Sequence, residues 1–197
     1  MNETARTLSR ILAFARSVRP DVPEVDRALA DLRAVLAREG VDYVIVGGVA
    51  VLHHGYARTT RDVDVLLAGA DVDRIAPALE AAGFVRGGER KWRHAASGAG
   101  LDVLLAGEPI PPAGRGVFPE PAAVERSERD PDIAALAPLV ELKLAARRHQ
   151  DVADVVGLLQ AIDETRYLTL EAALPAGLRS ELARLRTDAL DELGGRD

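Results

Sequence analysis

The 197-residue chain contains no cysteine, which excludes a disulfide framework, thiol catalysis and a cysteine-rich zinc site. Aromatic residues make up only 4% and there is one methionine, so Ala, Leu and Val must build most of any core. No uninterrupted apolar run approaches the roughly 20 residues of a membrane span. The N-terminal stretch MNETARTLSRILAFARSVRP lacks both a long apolar centre and a small-residue cleavage site, so no secretory signal is expected and the cytosol is the default compartment. Lysine is nearly absent as well. Lys91 and Lys143 are the only two, and arginine supplies every other fixed positive charge. With 25 basic and 31 acidic side chains the net charge is −6, a poor balance for non-specific nucleic-acid binding. The 48% apolar content is too high for intrinsic disorder.

Apolar spacing predicts an amphipathic helix over residues 1–20, ended by Pro20 and Pro23, and a second helix from Glu24 to Glu39 stopping at Gly40. Val41–Val46 is a β-branched run closing on Gly47-Gly48, with a short helix after it. Strands are expected at Arg61–Leu67 and Leu101–Leu105, a helix at 71–83, and a strand–turn–strand over Phe84–His94. Residues 108–131 are rich in Pro, Gly and charge and read as a linker or irregular excursion, and helical patterns follow at 138–148, 151–162 and 175–193. The expected organisation is thus an N-terminal helix (1–20), a core (21–107), a linker (108–131) and a helical C-terminal region (132–197). The fold class is α/β (α+β): a small mixed sheet flanked by helices, followed by a helical half.

Chemistry concentrates in Gly47-Gly48, in Asp62-Val63-Asp64, and in Asp102 within the strand 101–105. A strand that ends in two glycines and opens a helix brings backbone N–H groups close to a ligand, which suits a polyphosphate. Asp62 and Asp64, two apart on a strand, share a face, and two carboxylates side by side repel unless a cation lies between them. Mg²⁺ binds carboxylates together with substrate phosphates, and Asp102 from a neighbouring strand would complete a two-metal site. An unpaired carboxylate inside an apolar strand is costly, which strengthens the case for a cation at Asp102.

The segment from Gly47-Gly48 to Asp62-Val63-Asp64, with Asp102 downstream, resembles the nucleotidyltransferase superfamily related to DNA polymerase β. More narrowly, GGVAVLHHGYARTTRDVDVLL is similar to the minimal nucleotidyltransferase and AbiEii-type toxin group, with Arg58 and Thr60 in that group's Arg and Thr places. The segment ELKLAARRHQDVADVVGLL matches its second pattern through Lys143, Arg147, Asp151 and Asp154. One departure is that glycine, not serine, follows Gly47. The resemblance implies an Mg²⁺- or Mn²⁺-dependent enzyme moving NMP from an NTP such as ATP to an acceptor hydroxyl on tRNA, protein or a small molecule. It also implies a toxin role beside an antitoxin protein. Asp62, Asp64 and Asp102 would hold the metals, with Asp102 also taking the acceptor proton. Gly47, Gly48, Arg58, Thr60 and Lys143 would bind the nucleotide.

Several residues carry plainer readings too. His53 and His54 are adjacent and point about 100° apart on a helix, so they are expected to pack rather than ligate. Asp151 is expected as a helix N-cap in reach of Arg147 or Arg148. Arg86, Arg90, Lys91, Trp92, Arg93 and His94 form a basic run that is either an acceptor-binding edge with Trp92 as a stacking platform, or a charged hairpin guarding a sheet edge. Two other functions stay open: a catalytically silent binding module of antitoxin type, and, more weakly, a metal phosphohydrolase, for which the four histidines are poorly placed.

Overall fold

The computed structural model describes residues 24–112 and 116–194. The helix expected over residues 1–20 lies outside them. Helix α1 (Val25–Glu39) buries Val25, Ala28, Leu29, Leu32, Val35 and Leu36, and ends where Gly40 turns left-handed at φ 62°. There the Gly40 amide donates to Ala37 and the Val41 amide to Leu36, which satisfies the last carbonyls of the helix. Strand β1 (Tyr43–Val46) runs directly into α2 (Gly47–His53), so the helix begins on the glycine pair itself. Next come β2 (Asp62–Leu67), a 3₁₀ turn (Gly69–Asp71), α3 (Val72–Ala81), and the β3 (Phe84–Arg86) and β4 (Lys91–His94) hairpin. Strand β5 (Gly100–Leu105) follows.

The stretch 108–131 departs from expectation. It holds a 3₁₀ turn (Pro121–Ala123), strand β6 (Arg126–Ser127) and the start of β7 (Asp130–Ala134). Strand β7, DPDIA, has a proline and only two apolar residues, so no local periodicity marks it. It is a strand because Ile133 pairs with Ile45 of β1 and buries there. Four helices complete the described chain: α4 (Leu136–Ala146), α5 (His149–Gln160), α6 (Glu164–Ala173) and α7 (Ala176–Gly194). Helix α6 has little apolar periodicity and was not apparent from the sequence.

The seven strands form one mixed sheet in the order β3-β4-β5-β2-β1-β7-β6. Central β2 runs antiparallel to β1 and parallel to β5. Helix α1 packs on β2 and α3, while α2 packs on β1, β2 and α4. Helix α4 is apolar nearly all round because α2, α5 and α6 all cover it. Among the described residues no helix is long and apolar enough to cross a membrane.

Ile45 is fully buried at the middle of the sheet. Ile45→Ala is expected to cost about 2–5 kcal/mol, measurable as a lowered midpoint in urea denaturation at unchanged m-value.

Candidate active site

Parallel register places Asp64 opposite Asp102 and Asp62 opposite Gly100. The three aspartates therefore start on one face of the β2–β5 ladder. Asp64 is half-buried and Asp62 exposed. Two close approaches explain the glycines around them. Gly47 stands at φ +59°, and a Cβ there would meet Asp64 Oδ2 at 1.9 Å. At Gly100 a Cβ would meet Asp62 Oδ1 at 2.1 Å. Both carboxylates thus occupy space that only glycine leaves free.

Burial pushes the Asp64 carboxyl up to about 6; the Asp102 charge adds to the rise, while Lys143 and the Gly48 amide, which donates to Asp64, hold it down. Asp102 has its own cation. Lys91, its register partner on β4, sets Nζ 2.9 Å from Oδ2 and 3.2 Å from Oδ1. That hydrogen bond and charge raise the Lys91 ammonium above the ordinary lysine value.

Asp64 and Asp102 open onto a cavity of about 290 Å³ that Gly47, Arg90, Lys91, Lys143, Arg148 and Asp151 also line. Its apolar wall includes Ile110, Phe118, Leu139 and Leu142. Of the residues singled out in the sequence, Gly47, Asp64, Asp102 and Lys143 meet in this cavity. Asp62, Gly48, Arg58 and Thr60 are not part of its lining. Gly48 instead backs onto Thr60 and Arg58: a Cβ there would meet Thr60 Oγ1 at 2.3 Å and Arg58 Nη2 at 3.0 Å. Thr60 is buried and donates to the Asp62 carbonyl, bracing the start of β2.

Arg58 and Lys143 both converge on Asp154, which is fully buried. Arg58 Nε stands 2.6 Å from Oδ1, Lys143 Nζ donates to Oδ2 at 2.6 Å, and Gln150 Nε2 donates to Oδ1 at 3.0 Å. Lys143 also reaches Asp151 at 3.3 Å. Asp151 sits at the third position of α5, one turn beyond the N-cap expected for it, and its carboxylate accepts from the Arg148 backbone amide and side chain. Arg147, whose φ of 53° ends α4, pairs with Glu181 instead. Arg58 and Asp154 belong to separate sequence motifs, and no spacing signal links residues 96 apart.

His53 and His54 pack. His53 Nε2 lies 2.7 Å from Ser127 Oγ and His54 Nε2 2.9 Å from the Ala134 carbonyl. Burial lowers both rings to about 4, so they are neutral. The basic run forms the β3–β4 hairpin at the sheet edge, and Trp92 is buried beneath Arg86 rather than offered to a base. The stacking reading of Trp92 therefore fails; its indole joins the core from β4, whose Lys91 and Arg93 are exposed. Arg90 pairs with Glu108 and Lys91 with Asp102.

Two carboxylates held side by side, one with a raised affinity for protons, are donors that suit a hard divalent cation. Among the described residues no group of three or more His, Asp or Glu side chains is placed so that it could hold a metal ion. The pair nevertheless fits such an ion, since the glycine corner leaves Asp64 its place beside Asp102. Residues 28–104 match the model of a family described as aminoglycoside-2''-adenylyltransferase. That is a nucleotidyltransferase-type family, and the match spans α1 to β5, the part of the fold carrying both strands of the carboxylate pair. It supports the superfamily resemblance seen in the sequence and not the narrower AbiEii-type group. Comparison with curated proteins gave no match.

The raised Asp64 value has a thermodynamic consequence in metal-free buffer. The folded chain keeps a proton that the unfolded chain releases between about pH 4 and 6, so stability falls as pH rises through that window. Asp64→Asn is expected to raise the melting temperature at about pH 7.5 in EDTA and to match wild type near pH 4. Equal melting temperatures at the higher pH would contradict the electrostatic account.

Proposed function

We propose that the protein is a divalent-metal-dependent nucleotidyltransferase that moves NMP from an NTP to an acceptor hydroxyl. The observation that carries this reading is the in-register Asp64–Asp102 pair, set against the Gly47 corner on the wall of a cavity of about 290 Å³. Asp64 and Asp102, with Asp62 on the same face of β2, would hold Mg²⁺ or Mn²⁺. Held there, such an ion would supply Lewis-acid polarisation of the acceptor oxygen and compensation for charge on the leaving pyrophosphate. The acceptor hydroxyl oxygen bonds to the α-phosphorus as the bond from that phosphorus to the β-phosphate bridging oxygen breaks. Asp102 takes the hydroxyl proton, and pyrophosphate carries away the electron pair. Arg148, Arg90 and Lys143 face the same space and favour the triphosphate. Gly47 shapes the corner, while Gly48, Arg58 and Thr60 brace it from behind.

The cavity lining includes four basic side chains (Arg90, Lys91, Lys143, Arg148) against three carboxylates (Asp64, Asp102, Asp151). The family description names an aminoglycoside acceptor, which is one small molecule that could take the acceptor place. RNA, a protein or another small molecule are the remaining acceptor classes. A toxin role with an antitoxin partner, and a cytoplasmic setting, rest on the sequence features alone.

A second reading, a catalytically silent binding module, is favoured by one observation: Lys91 already bridges both Asp102 oxygens. Two measurements separate the readings. Incubation with labelled NTPs, Mg²⁺ and candidate acceptors should show transfer that Asp64→Asn lowers at least about a thousandfold. A thermal-shift series with Mg²⁺ and each NTP should show stabilisation of about 2.7 kcal/mol at 100 times the dissociation constant. A flat response to all four nucleotides, with no label transferred, supports the silent module.

A further inference from the structure

We propose that Lys91 is a tethered cation that neutralises Asp102 while no divalent metal is bound and must leave it for the metal to enter, so that Lys91 sets the metal affinity of the site. The inference rests on Asp64 and Asp102 being metal ligands. Register alone places Lys91 there: its partner across β4 and β5 is Asp102, so both side chains rise from the same face. The ammonium engages both carboxylate oxygens, at 2.9 and 3.2 Å. A divalent ion on those oxygens would share them with a second positive charge at contact distance, and the two repel.

The side chain is built to move. It is 71% exposed, and its four-carbon stem can swing aside without unpacking anything. An arginine at this position would grip the carboxylate with a bidentate fork and release it less readily. This chain uses arginine for every cation except two. The other lysine, Lys143, is the opposite case: 5% exposed and fixed between Asp154 and Asp151. Lys91 and Arg90 line the cavity together, so a triphosphate arriving with its metal offers the displaced ammonium a new anionic partner. Metal and nucleotide would then bind with mutual assistance, each easing the release of Lys91.

The test is Mn²⁺ titration of the full chain without nucleotide, followed by the electron paramagnetic resonance of free Mn²⁺, for wild type, Lys91→Met, Lys91→Arg and Asp64→Asn. Lys91→Met should bind about fivefold more tightly than wild type, the scale set by losing an exposed ion pair. Lys91→Arg should bind no more tightly than wild type, because the charge remains. If wild type binds too weakly to register, Lys91→Met must gain measurable binding. An affinity of Lys91→Met equal to or below wild type, a gain in Lys91→Arg, or no binding in either wild type or Lys91→Met overturns the proposal. If Asp64→Asn weakens Mn²⁺ binding while Lys91→Met changes nothing, the role of Lys91 falls and the metal site stands. If Asp64→Asn binds as wild type does, the metal lies elsewhere and both readings fall.

Discussion

Pairing of β2 with β5 in parallel register places Asp64 beside Asp102 and Asp62 beside Gly100, and the carboxylate face of the site depends on that alignment. Side chains alternate with a period of two, so a slip of one residue would turn one strand's carboxylates to the other face and bring valine or leucine beside those that remained. Val63, Val65, Leu101 and Val103 resist such a slip, since all four are buried. The apolar positions of these strands thus protect the polar ones. The glycines do the complementary work by leaving empty the volume that the carboxylates of Asp64 and Asp62 fill.

A second layer of charge ties the helical half to this sheet. Asp154 of α5 is fully buried and receives Arg58 from the segment before β2 and Lys143 from α4. Removing one partner from such a cluster leaves a buried charge uncompensated, which costs far more than an exposed pair contributes. The network therefore fixes α4 and α5 against the strand–helix corner and leaves the cavity's movable charges at its rim. Lys91 and Arg148 are mostly exposed, whereas Lys143 is enclosed.

Much of this was legible along the chain. The helix ending at Gly40, the strand running into Gly47-Gly48, and the strands carrying Asp64 and Asp102 all announce themselves by local periodicity and by glycine, and the structure has them within a residue or two. Strand β7 and helix α6 did not announce themselves. The first is held by pairing to β1, and the second rests on α4 with few buried residues of its own. Trp92 looked like a stacking platform because a basic run surrounds it, but alternation along β4 turns it inward and sends Lys91 and Arg93 outward. Asp151 reads in the sequence as a helix cap in reach of Arg147 or Arg148, and the burial of Asp151 and Asp154 against Lys143 and Arg58 is visible only with α4, α5 and the segment before β2 in place.

By itself the sequence determined the carriers of the chemistry: which residues could ligate, which turns needed glycine, which strands had a polar face. Those properties depend on neighbours one to four residues away, where backbone periodicity governs. Tertiary structure alone decided the partners. Asp102 and Lys91 meet across a strand ladder, and Arg58 and Asp154 across 96 residues, because strand register and helix packing bring them together. Such encounters depend on how distant segments share one core, and no local pattern encodes that.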